Sequence, residues 1–264
     1  MNNKKFKNIL VVLGGSSGER NVSLDSGKAC IKALKKKGYR VSSFDPKFKN
    51  LNLINKKKVD AIFNSLHGKD GEDGVAQSYF EYLKIPYTHS GVISSFNAMN
   101  KIISKEIFTK NKIRTPKFFS FNKKEFTTKK FKHNMMNKKI QFPIVVKPIN
   151  EGSSLGVKIC KNNTKLIKET RNLFKKYYQL IFEEYIGGQE VQVAVINRKP
   201  LGAIELVPKR LFYDYKAKYT KDAKTKHIMP ARLNKSKYLE VLKIAKKTHN
   251  VLGCRGVTRS DFKF

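Results

Sequence analysis

The chain has 264 residues, the length of about two domains, and its 56 Lys and Arg against 20 Asp and Glu give a formal charge of +36. Only nine of the basic residues are arginine, the side chain that proteins use most for specific nucleic-acid recognition. The positive charge is therefore a property of the whole surface and does not indicate a nucleic-acid binding site. No apolar run approaches the roughly 18 residues of a membrane-spanning helix, and no secretory signal segment precedes the first strand. Three cysteines without metal-ligand spacing predict reduced thiols. Together these features predict a soluble cytoplasmic protein without a specific nucleic-acid or membrane partner.

Strands and helices alternate along the first hundred residues, which predicts parallel β-α-β units. The continuous apolar run Ile9–Leu13 is typical of a strand buried on both faces, and it leads into a Gly-rich turn at 14–20. A helix capped by Asn21 or Ser23 follows and ends at Gly38. The other predicted elements are strands over 39–44 and 59–66 and a helix over 75–83. Ligands bind at the carboxyl ends of such strands, where both Gly-rich turns of this region fall.

Beyond residue 94 the pattern changes to short extended runs separated by turns, which predicts antiparallel α+β layers. Helices are predicted over 94–111, 164–177 and 235–252, and a strand or loop over 112–131. No element is predicted for the lysine-rich stretch 129–139. The predicted strands cover 143–146, 156–160, 180–184, 191–196, 201–207 and 256–264. The charged and aromatic segment 209–226 is predicted to be a loop, and loops of that length are usually functional or mobile.

The turn at 14–20 places three glycines between a strand and a helix, where backbone N–H groups and the helix N-terminus favour anions. Its glycine spacing differs from the dinucleotide-binding fingerprint. The adjacent Glu19 and Arg20 set both charges where the amino and carboxylate groups of a zwitterion can be held. A tight turn without a ligand is the alternative.

The turn at 67–74 follows a buried strand and contains one histidine, three glycines and three acids, which is more polarity than a connection needs. His67 lies at the carboxyl end of that strand, where ligands bind. A single histidine is, however, more often part of the local polar structure than a catalyst. Both interpretations stay open from the residues alone.

Two further segments have the composition of a nucleotide site. Lys147 ends an apolar strand and precedes a loop with Ser153, Ser154 and two glycines, whose N–H and hydroxyl groups can close over a triphosphate. The lysine precedes the glycines, so this is not a Walker A motif, and a surface hairpin is the alternative. The segment 182–190 places carboxylates on both sides of a short apolar stretch, as a nucleoside requires, although exposed glutamates in a hairpin are ordinary.

Six motifs together resemble the D-alanine–D-alanine ligase family, an ATP-grasp family, over essentially the whole chain. They are Gly-Gly-Ser-Ser-Gly-Glu-Arg-Asn-Val-Ser-Leu-Asp-Ser-Gly (14–27), Leu-His-Gly-Lys-Asp-Gly-Glu-Asp-Gly (66–74), Pro-Tyr-Thr-His-Ser-Gly-Val (86–92), Val-Lys-Pro-Ile-Asn-Glu-Gly-Ser-Ser-Leu-Gly (146–156), Phe-Tyr-Asp-Tyr-Lys-Ala-Lys-Tyr (212–219) and Gly-Cys-Arg-Gly-Val-Thr-Arg-Ser-Asp-Phe (253–262). The resemblance implies an α/β fold with an N-terminal parallel βαβ (Rossmann-like, pre-ATP-grasp) domain over 1–95. The two α+β halves of an ATP-grasp fold would follow over 96–187 and 188–264, the last one truncated.

The family phosphorylates the carboxylate of one D-alanine with ATP. The amine of a second D-alanine then attacks the acyl phosphate, which gives the dipeptide for peptidoglycan. The resemblance therefore implies D-alanine and ATP as substrates, two Mg²⁺ (or Mn²⁺) ions as cofactors, and a homodimer in the cytoplasm.

The resemblance also implies a role for each matching residue. Glu19 would hold the ammonium group of the first D-alanine close to His67, and Ser153 and Tyr219 would join Glu19 in a hydrogen-bonded set that keeps a lid closed. Arg259 would stabilise negative charge on the reacting groups. The matching ATP positions are Lys101, Lys147, Ser154, Glu183, Ile186, Glu190 and Lys218, and the matching metal ligand is Asp261.

The chain departs from the family at Lys216, where the lid usually has an acidic residue, and at its end. The family continues past the last strand into a segment that supplies a second carboxylate and an asparagine for Mg²⁺. Asp261 alone cannot hold two ions, so we expect an incomplete chain that binds ATP weakly and turns over little or not at all. We also expect the last strand, up to Phe264, to have no partner. Tyr219 favours D-alanine over D-lactate as the second substrate.

Two alternative functions remain. Another ATP-grasp carboxylate–amine ligase, or a D-alanine–D-lactate ligase, would share the phosphate loop, and a panel of D-amino and hydroxy acids would distinguish it. A non-catalytic basic protein would bind polyanions tightly and with a steep salt dependence. Against the second alternative, the basic residues lack arginine enrichment and interleaved aromatic side chains.

Overall fold

The structure is a computed structural model, and it describes residues 6–208 and 225–264. The chain forms two units, one built from Met1–Ala98 and Gly253–Thr258 and the other from Met99–Leu252 and Arg259–Phe264. Within the described ranges, no helix has the length and apolar character to cross a membrane. The three-domain division stays a prediction.

The first unit contains a three-stranded parallel sheet, as predicted. Its strands are β1 (Asn8–Val12), β2 (Arg40–Phe44) and β3 (Ala61–Asn64), in the order β2-β1-β3. The accompanying helices are α1 (Arg20–Lys36), α2 (Val75–Tyr82) and α3 (Val92–Met99), with short 3-10 helices at Leu51–Leu53 and Lys56–Lys58. The continuous apolar sequence of β1 suits the central position, where both faces are buried. Its side chains pack in a core with Ile62 and Phe80.

Ser23 joins two strand ends and does not cap α1. Helix α1 begins at Arg20, directly after Glu19, and no side chain caps its first N–H groups. The buried Ser23 hydroxyl accepts a hydrogen bond from the N–H of Gly14 at 2.8 Å and donates one to the carbonyl oxygen of Ser65 at 2.7 Å. The predicted cap at Asn21 or Ser23 is therefore wrong, because both residues lie inside the helix. The Ser23 side chain instead hydrogen-bonds the backbone just beyond the ends of β1 and β3.

The second unit begins with helix α4 (Lys101–Lys110) and contains two four-stranded sheets. The central sheet consists of β4 (Phe118–Asn122), β5 (Ile144–Pro148), β6 (Lys158–Cys160) and β7 (Gln179–Glu184), in the order β4-β7-β5-β6 with antiparallel pairs. Helices α5 (Thr128–Asn137) and α6 (Asn163–Phe174) contribute Phe131, Leu166 and Leu173 to the core on one face of this sheet. The predicted antiparallel α+β layer is confirmed.

The final sheet consists of β8 (Glu190–Ile196), β9 (Lys199–Val207), β10 (Lys226–Ile228) and β11 (Val257–Lys263), in the order β10-β9-β8-β11. Helix α7 (Lys235–Val251) packs Val241 and Ala245 against it. The expectation that the last strand has no partner is wrong. Strand β11 pairs with β8, and the backbones of Phe264 and Gln189 exchange two hydrogen bonds of 3.1 Å.

Two local predictions also need correction. The helix predicted over 94–111 is interrupted at Asn100, whose side chain accepts hydrogen bonds from the N–H groups of Ile102 and Ile103 and so starts a new helix, α4. The lysine-rich stretch forms α5, because Thr127 caps its N-terminus and Phe131 anchors it in the core. A high lysine content is compatible with a helix that exposes most of its surface.

An ion pair between Glu205 and Arg232 predicts a pH-dependent stability. Glu205 lies in β9, and its carboxylate accepts hydrogen bonds of 2.8 and 2.7 Å from the Arg232 side chain. These bonds lower the pKa of Glu205 to about 2. A lowered carboxyl pKa stabilises the fold above the unfolded value and loses that effect as the pH falls toward 2. Because Arg232 is largely exposed, we expect Glu205→Gln to lower the unfolding free energy by about 1–2 kcal/mol at pH 7.

Urea unfolding at pH 7, 5 and 3 checks this prediction. The difference between the wild type and Glu205→Gln should shrink as the pH falls. Glu240→Gln, at an exposed position of α7, is the matched control and should change stability little at any pH. A difference that stays constant down to pH 3 would contradict the role of the ion pair.

Candidate functional site

The two Gly-rich turns of the first unit lie side by side, because β1 and β3 are neighbouring parallel strands and a turn follows the carboxyl end of each. Ser17 Oγ donates a hydrogen bond of 2.6 Å to the carbonyl oxygen of His67. Gly68 packs against Glu19, since a Cβ atom at Gly68 would lie 2.6 Å from Glu19 Oε2. Glu19 is buried, with 4% of its surface exposed. The structure thus brings Glu19 close to the turn that His67 begins.

Buried amide side chains hold the turn at 67–74 in place. Asn64 and Gln77 both donate to the carbonyl oxygen of Gly71, at 3.0 and 2.9 Å. Glu72 accepts a hydrogen bond of 2.6 Å from the N–H of Gly68. The position of Gly68 against the Glu19 carboxylate is therefore fixed from both ends of the turn.

Arg20 is paired with Asp45 and does not face an open site. Its two guanidinium NH₂ groups donate to the Asp45 carboxylate at 2.7 and 3.1 Å, and one of them also donates to the carbonyl oxygen of Gly15. Burial opposes ionisation of Asp45, but hydrogen bonds from Arg20 and from backbone N–H groups outweigh it and lower the pKa of this carboxyl. The expectation that Glu19 and Arg20 together face a zwitterion is therefore wrong for Arg20. This side chain stabilises the turn instead.

A small cavity of about 60 Å³ lies between the two turns of the first unit. Its lining includes Gly15, His67 and Asp70 as well as the apolar Leu51 and Leu66. Polar groups beside an apolar wall suit a small molecule that has both a charged end and a short apolar side chain.

In the second unit, Lys147 and Glu183 meet on the face of the central sheet that is opposite its aromatic core. Side chains alternate along strands, so Val146 and Phe182 enter the core while their neighbours Lys147 and Glu183 point to the other face. Lys147 Nζ lies 2.7 Å from Glu183 Oε2. Burial opposes ionisation of Glu183, but Lys147 and Lys105 outweigh it and hold the pKa of the carboxyl below its ordinary value.

Lys101 lies at the start of α4 and is directed at the loop that follows β5. Its Nζ donates to the carbonyl oxygens of Ile149, at 3.2 Å, and Glu151. Ser153 and Ser154 follow in that loop with positive φ angles of 47° and 63°. The structure therefore brings Lys101, Lys147 and the serine loop to one end of β5, as expected for a group that contacts phosphates.

Ile186 lies in the segment between β7 and β8, and Glu190 is the first residue of β8. Ile186 is 36% exposed, so its apolar side chain is available to a ligand. Glu190 forms an ion pair with Lys263 of β11, with 2.8 Å between Oε2 and Nζ. The contacts of Ile186 with a base and of Glu190 with a ribose stay predictions.

Arg259 and Asp261 lie two residues apart in β11 and contact each other. Arg259 Nε donates to Asp261 Oδ1 at 2.9 Å, and Arg259 Nη2 lies 3.3 Å from Oδ2. In the part of the chain that the structure describes, no group of three His, Cys, Asp or Glu residues could hold a metal ion. Asp261 alone therefore does not fit the two-ion site that the resemblance implies.

Two predicted residues, Lys218 and Tyr219, lie outside the described residues, as does Lys216. Conversely, the sequence reasoning missed Lys105 and Asp45, which hold Glu183 and Arg20. Lys105 stands four residues after Lys101 on one helix, a spacing that places both lysines on the same face and could have indicated it.

Comparison with known proteins finds relatives among the D-alanine–D-alanine ligases. Two family models match, described as "D-ala D-ala ligase N-terminus" over residues 43–90 and "D-ala D-ala ligase C-terminus" over residues 107–264. A D-alanine–D-alanine ligase of Pelagibacter ubique is 52% identical over 98% of this chain and 84% of its own length. One of Pelobacter propionicus is 39% identical over 99% of this chain and 82% of its own length.

Solved structures agree with these relatives. A D-alanine–D-alanine ligase from Bacillus anthracis superposes with a TM-score of 0.84 at 34% identity, over 98% of this chain and 83% of its own. A D-Ala:D-Ser ligase from Enterococcus faecalis superposes with a TM-score of 0.82 at 25% identity, over 98% and 86% of the two chains. The fold of this chain, a parallel sheet followed by antiparallel sheets, is thus the fold of these ligases.

Proposed function

The chain belongs to the D-alanine–D-alanine ligase family, and from this we infer that it joins two D-alanine molecules to D-alanyl-D-alanine with ATP, for peptidoglycan synthesis. A carboxylate oxygen of the first D-alanine attacks the γ-phosphorus of ATP, and ADP leaves. The deprotonated amine of the second D-alanine then attacks the carbonyl carbon, the peptide bond forms, and phosphate leaves. The cytoplasmic location and the homodimer stay predictions.

One observation supports this proposal most directly, the buried Glu19 carboxylate beside the turn at 67–74. A carboxylate at this place offers acceptors of opposite charge to the ammonium group of an amino acid. The fixed turn sets where that ammonium can lie. We therefore assign Glu19 and His67 to the first D-alanine.

The second unit supplies the groups that ATP requires. We assign Lys101, Lys147 and Ser154 to the phosphates, since Lys101 contacts the loop after β5, Ser154 belongs to that loop, and Lys147 lies in β5 directly before it. We assign the nucleoside to Glu183, Ile186 and Glu190, and phosphate contact to Lys218 as well. Ser153 and Tyr219 are assigned to closure over the reacting groups, because an acyl phosphate must be kept from water.

Arg259 is assigned to the negative charge that develops on the transferred phosphoryl group and the tetrahedral intermediate. Mg²⁺, when bound, would neutralise the charge of the phosphates. We propose that Asp261 contacts it. In the structure Arg259 and Asp261 form an exposed ion pair with each other.

Dipeptide formation from D-alanine and Mg-ATP tests the proposal, with mass spectrometry of the product and an assay of released phosphate. We expect D-alanine to support the reaction and L-alanine, the matched control, to fail. Two chains are compared: the 264-residue chain, and this chain extended by the segment that follows the corresponding strand in the Pelagibacter relative. Absence of dipeptide from both folded chains would contradict the function, whereas robust turnover by the 264-residue chain would contradict only the expectation of low activity.

The similarity to a D-Ala:D-Ser ligase makes the second substrate a separate question. We propose D-alanine, on the ground of Tyr219, and expect it to be preferred over D-serine and D-lactate at neutral pH. Competition between equal concentrations of the three acceptors, with products separated by mass, measures this preference. Equal yields would contradict it.

A further inference from the structure

Lys105 is a buried lysine of α4 that has no part in the roles assigned above. Its side chain is 8% exposed. Its ammonium group donates to Thr115 Oγ1 at 2.7 Å and to the carbonyl oxygen of Pro116 at 2.9 Å, and it lies 3.2 Å from Glu183 Oε1. It also lies 4.9 Å from the centre of the Phe118 ring. Two hydrogen bonds, one ion pair and an aromatic face around one ammonium make Lys105 a fixed charge.

Lys147 contacts the other oxygen of the same carboxylate, but its surroundings differ. Its side chain is 21% exposed, against 6% for that of Glu183. Within the described residues, the ion pair with Glu183 is its one polar partner. Lys147 can therefore leave Glu183 for a phosphate at little cost, whereas Lys105 cannot move without abandoning three partners.

We propose that Lys105 is a positioning residue of the nucleotide site, the permanent counter-ion that keeps the Glu183 carboxylate charged and in place while Lys147 exchanges from Glu183 to the phosphates. The proposal rests on the proposed function, because that function brings a nucleotide to Lys147. A buried carboxylate without any counter-ion takes up a proton instead of staying charged.

The charge of Glu183 matters for the choice of base. An ionised carboxylate only accepts hydrogen bonds, and the exocyclic amine of adenine only donates them. A protonated Glu183 would offer a donor as well and would tolerate a base with a carbonyl oxygen at that place. Lys105 thus contributes to the selection of an adenine nucleotide without touching it.

Among the residues that the structure describes, the charged groups that face Glu183 are Lys105 from α4 and Lys147 from β5. Glu184, the next residue of β7, acts electrostatically on Lys105. Burial lowers the pKa of Lys105, and the negative charge of Glu183 opposes this effect. Removal of both lysines would leave burial to raise the pKa of Glu183.

The nucleotide-free protein provides the first test. In Lys147→Met, which imitates the departure of Lys147, we expect Glu183 to remain ionised at pH 7. In the double variant Lys105→Met/Lys147→Met we expect it to be protonated. The ¹³C shift of the Glu183 carboxyl carbon, assigned by its loss in Glu183→Gln, reports the difference. A protonated Glu183 in Lys147→Met, or an ionised one in the double variant, would overturn the proposal.

ATP binding provides the second test. We expect Lys105→Met to bind ATP about tenfold or more weakly than the wild type and to take up about one proton on binding at pH 8. Calorimetry in two buffers of different ionisation enthalpy measures that proton. Lys110→Met, at an exposed position of the same helix, is the matched control and should behave as the wild type.

The two tests separate this proposal from the function on which it rests. A merely structural role of Lys105 would weaken binding without proton uptake, and equal uptake by the wild type and Lys105→Met would overturn the proposal. If neither the 264-residue chain nor the extended chain binds ATP, the proposed function fails. The carboxyl shifts of the nucleotide-free variants still decide whether Lys105 alone keeps Glu183 charged.

Discussion

Replacement of Gly68 by alanine is expected to lower kcat/KM for D-alanine by about a hundredfold or more. Gly68 has a φ angle of +69°, and a Cβ atom there would lie 2.6 Å from Glu19 Oε2 and 3.4 Å from Ser17 Oγ. Glu19 is buried, and the turn is fixed by Glu72, so neither side can yield without moving the carboxylate. A displacement of about 1 Å at a substrate-binding group is enough for a loss of this size.

Gly91→Ala is the matched control for this experiment. Gly91 belongs to the same unit, has no positive φ angle, and a Cβ atom there would meet its nearest neighbour at 3.5 Å. We expect it to keep full activity. The assay measures steady-state dipeptide formation by the chain that is active, either the 264-residue chain or the extended chain described under the proposed function. Thermal unfolding checks that each variant is folded. Near-normal kcat/KM in Gly68→Ala would show that Glu19 is not the ammonium ligand.

The parallel sheet and the place of its ligand edge were predictable from the sequence. The apolar run at Ile9–Leu13 can only be buried on both faces, and helices between strands force parallel pairing. Once β1 and β3 are parallel neighbours, the turns after them must lie at one edge, so Glu19 and His67 come close without further information. These are consequences of local pattern and chain direction.

Partners of charged side chains were not predictable in the same way. Arg20 looked available for a substrate because nothing in the local sequence indicates that Asp45 reaches it. Lys105 looked like one more lysine among many, although its ammonium is buried against Glu183. Both contacts join residues that are distant in the sequence, and they depend on how a helix packs on a sheet. In a chain with a formal charge of +36, burial and not composition separates Lys105 from the many exposed lysines.

The aromatic core of the central sheet, on the face opposite Lys147 and Glu183, should be the most sensitive place for stability. Phe182 is fully buried in β7 and stacks on Phe119, with 5.4 Å between ring centres and an interplanar angle of 11°. Phe121, Phe126 and Phe131 surround it at 5.4 to 6.1 Å. We expect Phe182→Ala to lower the free energy of unfolding of the second unit by about 3–5 kcal/mol, because the cavity cannot be filled by rings that already pack against one another.

Urea unfolding followed by far-UV circular dichroism measures this loss, since the chain has no tryptophan to report it. Phe48→Ala is the control with the same chemical change. Phe48 is 73% exposed, so its removal should cost less than about 1 kcal/mol. Because Glu183 follows Phe182 directly in β7, a loosened strand should also weaken ATP binding in Phe182→Ala. A loss of stability below about 2 kcal/mol would mean that the neighbouring rings collapse into the cavity, and that the sheet does not hold Glu183 as rigidly as its burial implies.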